Sequence, residues 1–210
     1  MKQQITEQLG GQKERWGSRA ANWDKEIEKP DHYTNFENGY QRFLDLEREL
    51  LDKIPKKEVG IDIGCGTGVT SKILAEKVET IYLLDLSDRM LAVAKEKVPQ
   101  GIMLESSASN IPLPDNSVDV AISRGVIISH LPADLIEGFF AELVRILKFG
   151  GMTLFDFINR LDTADFKIES DKNVFSREQM ATELEKGGFA NINFDGEENN
   201  RVVRVWAIKK

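Results

Sequence analysis

Gly64, Gly66 and Gly68 stand at every second position of Asp62-Ile63-Gly64-Cys65-Gly66-Thr67-Gly68, directly after the β-branched run Val59, Ile61, Ile63. Glycine admits positive φ and lacks a Cβ, so a ligand can come against the main chain. An apolar strand feeding such a turn, then a helix, is how open α/β sheets build a nucleotide site. Thr80-Ile81-Tyr82-Leu83-Leu84-Asp85 reads as the next strand and ends in a carboxylate. Asp85 follows the glycines by about twenty residues, where an acidic side chain accepts both hydroxyls of a ribose. A dinucleotide fingerprint would place its third glycine where this chain has Val69, which argues against NAD.

Two further residues follow the strand Val118 to Ser123. Arg124 at that strand's end can bind a carboxylate or phosphate on a substrate, the alternative being a solvated surface arginine. An unperturbed histidine changes charge near neutrality, so His130 is a candidate general base, the alternative being a structural hydrogen-bonding role. Cys65 is the single cysteine. It cannot form an intrachain disulfide, and it reads as a small residue that fits beside the glycines. There is no Cys/His cluster of zinc spacing, so no metal site is expected.

Composition narrows the partners. Twenty-eight Lys and Arg against 35 Asp and Glu give a net charge of −7 over 210 residues, a balance that disfavours nucleic acid. No apolar run is long enough to span a bilayer, and Met1-Lys2-Gln3-Gln4 lacks the apolar core of a signal peptide. The expectation is a cytoplasmic protein, off the membrane, with one α/β domain and a small-molecule substrate.

The elements that must position these residues follow in order. Residues 1–41 are polar with scattered aromatics, including Trp16 and Trp23, and suit short helical pieces. Phe43, Leu46, Leu50, Leu51 and Ile54 recur at helical spacing, with Arg42, Asp45, Glu47 and Glu49 assigned to the other face and Pro55 as the stop. Val69 to Lys77 reads as a helix. Ser87 suits the N-cap of a helix carrying Met90, Leu91, Ala94 and Val98 on one face. Ile102 to Glu105 is a short strand. Pro132 to Lys148 reads as a long helix closed by Gly150-Gly151, and Met152 to Ile158 as a fifth strand. After a polar loop over 159–174, Ser176 opens a last helix. Ala190 to Asp195 and Val202 to Ile208 pair as an antiparallel hairpin, with Arg201 and Arg204 as solvated charges.

These motifs, in this order over roughly residues 59–160, resemble the class I S-adenosylmethionine (AdoMet)-dependent methyltransferases. Asp62 to Gly68 is similar to their motif I. Leu86-Ser87-Asp88-Arg89-Met90-Leu91, Ser106-Ser107-Ala108-Ser109-Asn110-Ile111-Pro112 and Arg145-Ile146-Leu147-Lys148-Phe149-Gly150-Gly151 are similar to later ones. The resemblance implies an α/β fold, with a Rossmann-like, seven-stranded, mostly parallel sheet between helices and an antiparallel C-terminal hairpin. It implies AdoMet as cofactor. Gly64, Cys65, Gly66 and Gly68 would meet its methionine and ribose parts, Asp62 would support that loop, and Asp85 would bind the ribose diol. Leu86 and Met90 would line the adenine, Ser107 and Ala108 would border it, and Ser123 and Trp23 would complete the set. Ser107 replaces the family's Asp, so adenine is expected to rest mainly on adjoining backbone. Residues 1–41, with Trp16 to Asp24 similar to the family's opening segment, would form a lid or cap over a domain of residues 42–210. The D/N-P-P-Y motif of amino-directed DNA methyltransferases is absent. The expected activity is methyl transfer to a small molecule; a non-catalytic AdoMet-binding module, or aminopropyl transfer, is the alternative that fold alone does not separate.

Overall fold

The computed structural model describes residues 2–29, 39–54, 57–125, 127–160 and 172–210. Its strands are β1 (Lys57–Ile63), β2 (Val78–Asp85), β3 (Ile102–Glu105), β4 (Val118–Ser123), β5 (Leu147–Ile158), β6 (Phe189–Asp195) and β7 (Val202–Lys209). They form one sheet in the order β3-β2-β1-β4-β5-β7-β6. The first five run parallel, and β7 lies antiparallel to both β5 and β6. The expected Rossmann-like sheet with its closing hairpin is therefore present. The carboxyl ends of β1 to β5 share one edge, and the strand order reverses between β1 and β4. A sheet of this kind opens a crevice at that reversal.

Helices cover both faces, so the central strands are apolar on both sides. One core layer joins Ile61, Ile63 and Ala121 to Phe139, Leu143 and Phe155. The other joins Val120, Ile122 and Leu83 to Phe43, Leu74 and Leu91. The helices are α1 (Lys2–Gly17), α2 (Trp23–Ile27), α3 (Gly39–Lys53), α4 (Ser71–Ala75), α5 (Asp88–Lys97), α6 (Ile127–His130), α7 (Ile136–Ile146) and α8 (Arg177–Lys186). Ser87 caps α5 by accepting from Met90 N, and Ser176 opens α8 in a reciprocal capping box with Gln179.

Several expected boundaries move. The helix expected over Val69 to Lys77 is only Ser71–Ala75, because the glycine turn runs on to Thr70. The long helix expected from Pro132 begins as a 3₁₀ turn (Ala133–Leu135) and stops at Ile146. The chain passes straight into β5, where Leu147 already pairs with Val118. Arg204 is not a solvated charge: it is 3% exposed and donates to Asp195 at 2.9 Å. Asp195 also accepts from Arg42 at 2.6 Å, tying α3 to the hairpin. Glu47, expected on the polar face of α3, is fully buried. Pro55 and most of the 159–174 loop lie outside the described residues.

Candidate active site

The crevice begins with Asp62, fully buried at the end of β1. Its Oδ2 accepts from Thr70 Oγ1 (2.7 Å) and Ser71 Oγ (2.6 Å), which closes the glycine turn back onto the strand. Gly64 N and Cys65 N both donate to Leu84 O of β2, at 2.7 and 2.9 Å. Ser123 Oγ donates to Ile63 O at 2.8 Å and pins β4 beside β1. These bonds hold the turn before any ligand arrives.

Asp85 faces the same turn from the end of β2. Its Oδ2 accepts from Gly66 N and its Oδ1 from Ser87 N, each at 2.9 Å. It does not stand at an exposed sheet edge: the glycine turn folds over it and leaves it 9% exposed. Asp85 is thus a loop latch and a cavity carboxylate at once, because two carboxylate oxygens offer more lone pairs than two amides use. Burial pushes its carboxyl up to about 6, and does the same to Asp62.

The glycines do different work. Gly66 has φ of 52°, and a Cβ there would come 3.5 Å from Trp23 Nε1, in the gap where the turn meets the indole. Gly68 has φ of 77°, and a Cβ would sit 3.1 Å from Ala94 Cβ of α5. Its requirement is helix packing rather than ligand approach.

A cavity lies over this edge, with a volume of about 950 Å³ that includes its mouth open to solvent. Of the residues singled out from sequence, Gly64, Cys65, Gly66, Asp85, Leu86 and Met90 line it, as do Ser107, Ala108, Trp23, Arg124 and His130. Asp62, Gly68 and Ser123 stand behind the wall and position it. Ser107 Oγ lies 2.9 Å from Ser109 Oγ, within its own turn. Arg124 is buried, with its guanidinium 4.2 Å from the centre of the Tyr40 ring. Cys65 is buried, and its thiol is pushed well up by burial, which fits a filler rather than a nucleophile.

Of the N-terminal segment, Trp23 alone was singled out as a site residue. α1 is a sixteen-residue helix, and Leu9, Gln12 and Trp16 on it line the cavity. Their spacing of three and four residues was the available helical signal. Gln12 Nε2 donates to His130 O at 2.6 Å, Lys13 Nζ to Glu105 at 2.5 Å, and Trp16 meets Trp23 edge-on at 5.5 Å. Asp24 of α2 accepts from Thr67 Oγ1 (2.5 Å) in the glycine turn and from Lys97 of α5. The N-terminal helices therefore span the strand ends and rest on the glycine turn.

A family model described as a methyltransferase domain matches residues 61–155, the stretch from β1 into β5 that builds this edge. Residues 61–155 are a methyltransferase domain of the class I S-adenosylmethionine-dependent type. The chain is 37% identical over 97 residues to a malonyl-[acyl-carrier protein] O-methyltransferase of Serratia marcescens, covering 45% of this chain and 36% of that protein. It is 30% identical over 176 residues to an uncharacterized protein of Methanocaldococcus jannaschii, covering 83% and 66%. Both matches span less than two thirds of the relative's length. A solved structure of DhpI with SAH superposes with a TM-score of 0.72 at 19% identity, over 98% of this chain and 96% of that one, and shares the fold. AdoMet is the cofactor of this family, and the described residues fit it. An acidic acceptor, an apolar wall at Leu86, Met90 and Ala108, and a turn without Cβ at Gly66 share one cavity. Among the described residues no group of His, Cys, Asp and Glu could hold a metal, and no helix is long and apolar enough to cross a membrane.

Proposed function

We propose that this protein transfers the methyl group of AdoMet to a small-molecule acceptor inside this cavity. The carrying observation is that Asp85, the glycine turn and the N-terminal helices enclose one cavity at the point where the strand order reverses. Asp85 accepts the ribose hydroxyls, Leu86, Met90 and Ala108 flank the adenine, and Gly66 lets the backbone come close to the cofactor. Bound AdoMet supplies an electrophilic methyl on a sulfonium, and in-line displacement asks the protein mainly for positioning and for a dry site. The N-terminal helices α1 and α2 act as the lid that excludes water, with Asp24 as its latch on Thr67. The net charge of −7 and the absence of a D/N-P-P-Y motif speak against nucleic acid as acceptor. A single buried cysteine suits the cytoplasm.

The test is incubation with methyl-labelled AdoMet and a metabolite extract. Label should enter a small molecule, and should fail to do so with Asp85→Ala. Binding of AdoMet with no labelled product, or label in nucleic acid, would overturn the reading.

The sign of a pH effect follows from Asp85. Ribose hydroxyls donate to the ionised carboxylate, so binding selects the deprotonated form. With the carboxyl near 6 in the free protein, AdoMet affinity should rise with pH up to about 6 and level off above. Below that it should weaken by up to about tenfold per pH unit, since one proton must leave on binding. Calorimetric Kd values between about pH 5 and 8 check this; a flat profile contradicts it.

A further inference from the structure

Two adjacent glycines, Gly10 and Gly11, stand in the middle of the sixteen residues of α1. Glycine is the poorest helix former after proline, because ordering its backbone loses the most freedom. A pair of them inside a helix needs a physical reason. Close packing is not the reason here: a Cβ at either position would meet nothing within 4 Å. Backbone conformation is not the reason either, since neither has the positive φ of Gly64, Gly66 and Gly68. Both positions are exposed.

The pair separates two halves of the helix. After it, Gln12 Nε2 donates to His130 O at 2.6 Å, Lys13 Nζ to Glu105 at 2.5 Å, and Glu14 accepts from Arg89 at 3.3 Å. Trp16 packs edge-on against Trp23 and His130, at 5.5 and 5.2 Å. This half is docked on β3, α5 and α6. Before the pair, Leu9 lines the cavity, and Ile5 continues its stripe one turn back, half-buried. The first half is not loose, since Thr6 and Glu7 have partners of their own. Two held halves thus meet at the place inside the helix where the backbone resists bending least.

We propose that residues 2–9 form a gate on the cavity, hinged at Gly10-Gly11, which swings while the half from Gln12 onward stays docked. The inference rests on the methyl-transfer reading, in which AdoMet must enter and its demethylated product leave at every turnover. A lid that shuts out water has to let both pass. Lifting the whole roof would break every contact of the docked half, and the bonds of Asp24 to Thr67 and Lys97 with them. Bending at the glycines breaks none of these and uncovers the cavity at Leu9. It gives up only the helical bonds that cross the hinge, from the amides of residues 10–13 to the carbonyls four residues earlier. The glycines keep that step small: each makes the helical state about four- to fivefold less favoured than alanine would.

The double variant Gly10→Ala/Gly11→Ala tests this. Both methyl groups point into open space, so the fold should be kept. In the free protein, hydrogen exchange by NMR should show protection of the amides of residues 10–13 rise by about fifteen- to thirtyfold, the product of the two gains. Stopped-flow mixing with S-adenosylhomocysteine, followed by tryptophan fluorescence, should show association and dissociation slow by a like factor. Kd should stay within about threefold, because a gate acts on entry and exit alike. Gln8→Ala, exposed on the same helix but off the hinge, should leave protection and rates within about threefold of the parent. Unchanged protection in the double variant would overturn the hinge. Raised protection with unchanged rates, slower association with unchanged dissociation, or an equal slowing in Gln8→Ala would overturn the gate. Failure of S-adenosylhomocysteine to bind the parent protein would instead strike the methyl-transfer reading itself, while hydrogen exchange still decides the hinge.

Discussion

Asp85→Ala is expected to weaken AdoMet binding by roughly a hundredfold or more, and to lower the melting temperature of the free protein as well. Hydrogen bonds to a charged partner are worth about 1.5–3 kcal/mol each, and about 1.4 kcal/mol is tenfold in affinity. The carboxylate would accept the two ribose hydroxyls, so both bonds go with it. The stability loss has a separate cause. Asp85 accepts from Gly66 N and Ser87 N, and removing it leaves two amides beneath the glycine turn without that acceptor. Such orphaned groups cost about 1–3 kcal/mol. The loss is partly offset, because burial disfavours the charged Asp85 carboxylate above about pH 6. Asp88→Ala is the control. Asp88 is exposed, and its 3.6 Å pair with Lys13 is of the kind that contributes little. A variant with unchanged affinity and only a lower melting temperature would reduce Asp85 to its latch role.

Glu47→Met should make the free protein more stable by about 1–3 kcal/mol at pH 8, the range for burying a polar group without compensation. Glu47 is fully buried in α3, and its two oxygens have no hydrogen-bond partner among the described residues. Burial, reinforced by the nearby Asp62 carboxylate, holds its carboxyl well above the usual range. The sign is that of a raised carboxyl: the stability linked to the bound proton is full below the unfolded value, near 4.5, and is lost as pH rises toward the folded one. Asp62 and Asp85 add the same slope, up to about 6. Met keeps the volume and removes Glu47's share of that slope. Thermal melts from about pH 5 to 9 should show the gap between variant and parent widen with pH. At pH 8 the variant should melt higher by about 2–4 °C per kcal/mol. A variant that melts lower at every pH would mean that the carboxyl carries an interaction that stabilises the fold.

The same two residues mark where sequence stops being informative. Strand–turn–helix units were legible because each is local: β-branched runs, glycines at positive φ and a serine N-cap act within a few residues. β1 to β4 accordingly fall where the apolar runs place them, and so does Asp85 at a strand end. Its burial was not legible, because the cover is its own glycine turn folding back. Glu47 follows Phe43 by four residues and precedes Leu50 by three, so helical spacing places it inward, and only its charge argued for the outer face. Arg204 is the same case, buried through a partner, Asp195, on the neighbouring strand. The roof was hidden differently. α1 is polar on most of its surface, and its inward stripe of Leu9, Gln12 and Trp16 is too thin to stand out against that background.

Calorimetric titration of the purified protein with AdoMet and with S-adenosylhomocysteine tests the central claim most directly. Both should bind at one site in the micromolar range or tighter, with affinity falling below about pH 6 as Asp85 takes up its proton. NADH, whose fingerprint would need glycine where this chain has Val69, should give no heat. Absence of heat with both sulfur ligands beside a working control protein, or micromolar binding of NADH, would contradict the account.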